Sequence, residues 1–256
     1  NIGMGGTGVQ TAALSFGGQP TPSYGNDTYE YDGASWTAGG DMNVSTYYRF
    51  GAGTQTSGLV AGGGAFIANT ELYNGSAWTE TADLNTARSY ATYQNGTQTA
   101  AIFAGGDDAA TTGSALNESW NGTAWTELSD LNTAREALSG AGLQTSAIVF
   151  GGTLPPGRKN ETETWDGTSW TEVNNLNDSR SFLGGAGANS TMALAFAGDA
   201  PGNTAKTESW NGSSWTEIND MSTARNTVAG VGTSSTSALC FGGYTSTNTN
   251  LTEEFT

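Results

Sequence analysis

Four arginines, Arg88, Arg135, Arg180 and Arg225, recur about 45 residues apart in a chain of 256. A guanidinium grips carboxylates and other oxygen-rich groups through paired hydrogen bonds, so a ring of arginines would make a mouth for an acidic or polyhydroxylated ligand. The plainer role is internal: each binds loop carbonyls, or a nearby acid such as Asp83, Asp130 or Asp220. Repetition favours the internal role. Two glutamate series share the interval: Glu71, Glu118, Glu163 and Glu208, and Glu80, Glu127, Glu172 and Glu217. A pair of acids is all that glycoside hydrolysis needs, yet a catalytic pair is unique, whereas a residue restated in every unit is scaffold. The chain has no histidine, which removes Ser-His-Asp and Cys-His nucleophiles and His-ligated zinc. Cys240 occupies the place of Ser15, Val60, Phe103, Val149 and Ala195 in other units, the position of a buried side chain. Asp107, Asp108 and Asp199 could offer oxygens to calcium, but no known calcium-loop spacing accompanies them. They read as solvated turn residues, and no metal or cofactor is expected.

The elements that must position these groups are legible from the repetition. The phrase ESWNGTAWTELSDLNTAR at 118–135 returns at 71–88, 163–180 and 208–225, with a looser copy at 29–46. A second phrase, such as QTSAIVFGG at 144–152, occurs six times, and the first residue of its closing pair falls at 17, 62, 105, 151, 197 and 242. A period near 45 identifies a repeat architecture. The apolar runs before the glycine pair are short enough for a strand buried on both faces. Asn-Gly or Asp-Gly between two aromatic runs signals a hairpin. Unit four therefore reads as four strands: A over 135–140, B over 146–150, C over 162–165 and D over 169–173. Sheets of this size and period stack as the blades of a β-propeller, with Trp165 and Trp170 packing between blades.

The glycine pair, the aromatic of strand C, the Trp of strand D, and the Leu or Met followed by Arg together resemble kelch-type propellers. The Gly/Asn/Thr-rich, lysine-poor style is similar to propeller proteins of marine phage virions. The resemblance spans the chain and implies an all-β, kelch-like β-propeller with six four-stranded blades, the last lacking its outer strand. A single propeller domain over 1–256 is expected, with blades at about 1–42, 43–84, 85–131, 132–176, 177–221 and 222–256. The sequence departs from the pattern at Ala197 in the glycine pair, and at Asn1 and Thr46, which stand at the arginine position of the first two blades. The missing outer strand is either absent from a closed ring or supplied by residues outside the chain, and the start at Asn1 fits a processed or longer protein.

Charge narrows the partners. With 24 acids against 8 bases, no basic patch for nucleic acid can be assembled, and no apolar run is long enough for a membrane helix. The units differ most in their B–C loops, at 19–27, 64–69, 107–117, 153–160, 199–206 and 244–250. These loops leave the ring on the same side as the D–A links, and variable loops on a rigid scaffold carry recognition. Tyr24, Asp107, Asp108, Arg158, Lys159, Asp199, Lys206 and Tyr244 lie there, with Arg88, Arg135, Arg180 and Arg225 beneath them. The expected function is non-enzymatic: a virion or extracellular appendage component that binds a host-surface glycan or a neighbouring subunit. The alternatives are a sialidase- or lyase-like enzyme and an intracellular kelch adaptor for a peptide.

Overall fold

Gly51 and Gly230 show why the chain closes into a ring. They lie in strands A of blades two and six, and a Cβ on either would meet the backbone of the adjacent strand A, 2.7 Å from the Gly6 carbonyl or 2.5 Å from that of Gly185. The strands A of blades one, two, four, five and six are glycine- and alanine-rich and can approach a common axis because they carry almost no side chain there. The computed structural model describes residues 2–19, 24–91 and 96–256. It is an all-β, six-bladed propeller. Five blades are four-stranded antiparallel sheets in the order A-B-C-D, and the sixth has three strands. Asn1 and residues 20–23 of the first B–C loop lie outside the described residues.

In blade four, strand A is Ser139–Leu143, B is Ser146–Phe150, C is Thr162–Trp165 and D is Trp170–Val173. Strands B and C match expectation. Strand A starts four residues later than expected, because the chain after Arg135 first runs along the B–C loop, where Glu136 bridges to Thr153. Each B strand is apolar on both faces, as in SAIVF, and sits between A and C with Ile148, Val149 and Phe150 fully buried. Its exit needs a left-handed residue. The first glycine of the pair has φ of +64° to +69° in five blades, and Ala197 adopts +60° in blade five.

The repeated phrase is explained residue by residue. In the Asp-Gly-Thr-Ser turn, Asp166 Oδ1 accepts from the amides of Thr168 and Ser169 at 2.8 and 2.9 Å, and Asn74, Asn121 and Asn211 do the same. These amides hold the Asp166 carboxyl below the usual range. The strand C tryptophans, Trp120, Trp165 and Trp210, donate to A–B turn carbonyls of their own blades. The turn glutamines Gln55, Gln98 and Gln144 reach back to the preceding blade, bonding the carbonyls of Tyr31, Tyr73 and Trp120 at 2.6–2.7 Å. The strand D tryptophans lie over the preceding blade, where Trp78, Trp125 and Trp215 donate to Thr28, Thr70 and Thr162. Trp36 makes the same bond to Thr252 at 3.2 Å, joining blade one to blade six (Ala229–Ser234, Ser237–Phe241 and Thr252–Phe255).

Candidate functional site

The arginines are removed from any ligand. Arg88, Arg135, Arg180 and Arg225 are 0% exposed and pair with Glu118, Glu163, Glu208 and Glu253 at 2.6–2.8 Å. The partner is thus the strand C glutamate of the same blade; Asp83, Asp130 and Asp220 are not the acids that hold them. The same glutamates accept from the D–A link: Asn85, Asn132 and Asn177 each donate both backbone N–H and side-chain Nδ2, at 2.7–2.9 Å. Burial pulls the guanidinium of Arg88, Arg135 and Arg180 below its ordinary range, and the carboxylate partner opposes that pull. Such a pair is costly to break from one side, about 3–5 kcal/mol. It fixes where each D–A link meets the next blade.

Blade two corrects the reading of Thr46. Its carbonyl takes the backbone role of the arginine, accepting from Gly18 N at 3.0 Å, while Arg49, three residues on, delivers the guanidinium. Arg49 bonds Glu71 at 3.2 Å and the Gly62 carbonyl at 2.9 Å, fully buried. The charge is preserved and the approach differs. Sequence alignment alone missed it because the same space is reached from a different backbone position.

The B–C loop residues meet as neighbouring pairs around the rim and do not converge on one point. Tyr24 of blade one stacks on Tyr47 of blade two, with ring centroids 4.6 Å apart. Asp107 of blade three meets Glu136 of blade four; burial, then Asp107, pushes the Glu136 carboxyl up to about 7, and burial also raises Asp107. Arg158 of blade four reaches Asp199 of blade five at 2.6 Å. Asn203 of blade five donates to the Tyr244 and Thr245 carbonyls of blade six, and Asn248 donates to Gln19 of blade one. These contacts occur once each. The remaining cations are held locally: Lys159 by Glu161 at 3.7 Å, Lys206 by Asp178 at 2.5 Å. Asp108 folds its own loop; burial pushes its carboxyl up, but the amides of Ala110 and Thr111 at 2.8 Å outweigh that, and it lies below its usual range.

A second set was missed by sequence reasoning. Two residues beyond each arginine position, Gly3, Tyr48, Tyr90, Ala137, Phe182 and Thr227 all have φ between +51° and +62°. They encircle the channel on the B–C loop side. Tyr48 N donates to Gly3 O, Ala137 N to Tyr90 O, Phe182 N to Ala137 O, and Thr227 N to Phe182 O, at 2.6–2.9 Å. Left-handed geometry costs a residue with a Cβ about 1–2 kcal/mol. Tyr48, Tyr90 and Phe182 meet across the mouth with centroids 4.1, 5.9 and 6.1 Å apart, leaving a dimple of about 10 Å³ above Leu138, Leu183 and Val228. Burial raises the Tyr48 phenol to about 12. The signal was available: this position varies from blade to blade, while the arginine two residues earlier is constant in blades three to six.

The opposite side is plain. The A–B turns at 9–12, 54–57, 97–100, 143–146, 189–192 and 234–237 contain no charged residue, and the channel there opens into a cavity of about 350 Å³ lined largely by turn glycines and threonines. Cys240 is fully buried, its thiol pushed up to about 11 by burial. Among the described residues no three His, Cys, Asp or Glu side chains are grouped to hold a metal. No protein-family model matches the sequence, and no curated protein matches it.

Proposed function

We propose that this propeller is a non-enzymatic recognition and structural module whose B–C loop side touches a host-surface glycan or a neighbouring subunit, as part of a phage virion or extracellular appendage. The kelch-like repeat pattern and the Gly/Asn/Thr-rich style support the setting. The working side rests on one observation: the arginines and strand C glutamates that recur from blade to blade are buried as Arg–Glu pairs, whereas the singular contacts gather on the loop side. Repetition builds the scaffold and departures from it carry selectivity.

The carbohydrate-active enzyme is the weaker alternative. The strand C glutamates that recur from blade to blade are bound in buried Arg–Glu pairs, which leaves them unavailable as the acid and base of glycoside hydrolysis. The test compares the protein with a variant whose B–C loops are shortened to Gly-Ser, on a panel of microbial cells and immobilised glycans, with released sugar assayed in parallel. Binding present in the parent and lost in the variant, without sugar release, is the expected result. Equal binding by both, or turnover by the parent, overturns it.

A further inference from the structure

The ring at the channel mouth carries a puzzle of side-chain choice. All six backbone positions are left-handed, the conformation in which glycine alone is unstrained. Glycine stands there once, at Gly3, and blades two, three and five instead hold Tyr48, Tyr90 and Phe182. Those three are half-buried and keep an open side at the centre of the loop side. Their faces are tilted by 32°, 48° and 79° to one another, so the three do not form a parallel stack. Tyr47 continues the row outward, 4.8 Å from Tyr48, and Tyr24 follows it. Strained residues that persist where glycine would fit mark a site held for something other than folding.

Resting on the loop-side reading above, we infer that Tyr48, Tyr90 and Phe182 form the binding subsite, and that its ligand is an uncharged sugar ring laid across the aromatic mouth. Three observations select that chemistry. Among the described residues an anionic ligand finds no free side-chain cation on the loops, since Arg158, Lys159 and Lys206 are each paired with a carboxylate, and the chain carries a net charge of −16. An aromatic cage for a quaternary ammonium or lysine head needs room between the rings, and the dimple there, about 10 Å³, holds no more than one water. A pyranose ring needs no cage. Its apolar C–H face lies on aromatic side chains, while its hydroxyls need acceptors. Glu136, next to Ala137 of the ring, and its partner Asp107 supply carboxyl oxygens beside the mouth.

The test uses glycine at all three positions, Tyr48→Gly, Tyr90→Gly and Phe182→Gly together. Glycine suits the left-handed backbone, so the rings are removed without adding strain, and circular dichroism checks the fold. Binding is read on immobilised neutral gluco-, manno- and galacto-oligosaccharides, with sialylated and sulfated counterparts and a lysine-rich peptide alongside. The parent is expected to bind a neutral member, and the triple-glycine variant to lose at least about tenfold in affinity. A Tyr48→Phe, Tyr90→Phe variant should stay within about threefold, because the ring is retained. If the shortened-loop variant loses binding while the triple-glycine variant keeps it, the loop-side reading stands and this subsite falls. Preference for the charged glycans or the peptide also overturns the subsite. If neither variant alters binding, both readings fall.

Discussion

Asn117 shows how far a single position can depart from the repeat. It stands where the other strands C begin with Thr28, Thr70, Thr162, Thr207 and Thr252, four of which accept a strand D indole. In its place Asn117 Oδ1 and Trp170 Nε1 are both buried without a partner. Asn117→Thr is expected to stabilise the fold by about 1 kcal/mol, read as a rise in the urea midpoint; an unchanged or lower midpoint would show that the Nδ2 bond to Ser129 matters more. Glu136 gives a pH dependence. Its folded value of about 7 lies above the ordinary 4.5. Between those values the unfolded chain releases the proton and the folded chain keeps it, so stability falls as pH rises from about 4.5 to about 7 and levels off above. Denaturation midpoints across that range should show the fall, and Glu136→Gln should flatten it.

At the level of the blade, the glycine pair sets the exit of strand B. A Cβ at Gly151 would lie 2.7 Å from the Arg180 carbonyl, in a residue with φ of +65°. Gly151→Ala is therefore expected to cost more than the ~1–2 kcal/mol of left-handed strain alone. Ala197 already accepts that conformation, fully buried in blade five. Ala197→Gly should change stability little, because relief of strain is offset by the lost methyl burial of about 0.8 kcal/mol and the greater freedom of the unfolded chain. Chemical denaturation of both variants decides this, and a large gain in Ala197→Gly would refute the balance. The repeated phrase made this blade legible strand by strand, because turn chemistry, aromatic spacing and short apolar runs all act within one unit. The late start of strand A was hidden, since the segment after Arg135 pairs with a loop and not with its own sheet.

For the whole molecule, charge and closure dominate. The A–B turns are uncharged, so the net −16 is borne by the rest of the surface. Self-repulsion of such a surface destabilises the compact state, and it is screened as the Debye length shortens from about 30 Å at 0.01 M salt to about 8 Å at 0.15 M. The melting midpoint should rise over that range, measured at constant pH; a flat response would mean that the acids are too far apart to repel. Closure rests on bonds between residues remote in sequence, such as Tyr31 to Glu254 and Trp36 to Thr252, at 3.0 and 3.2 Å.

The sequence by itself determined the architecture: all-β blades, their number, the scaffold character of the strand C glutamates, and the side on which the loops vary. Each follows from local periodicity, and five-fold restatement makes a local signal unmistakable. Only the tertiary structure decided what the arginines face, that Arg49 substitutes for Thr46, and that Tyr48, Tyr90 and Phe182 meet at the axis. Those facts depend on which side chains from different blades share one space. Residues about 42, 45 or 92 positions apart become neighbours only when six sheets close around a common axis, and no single repeat contains that information.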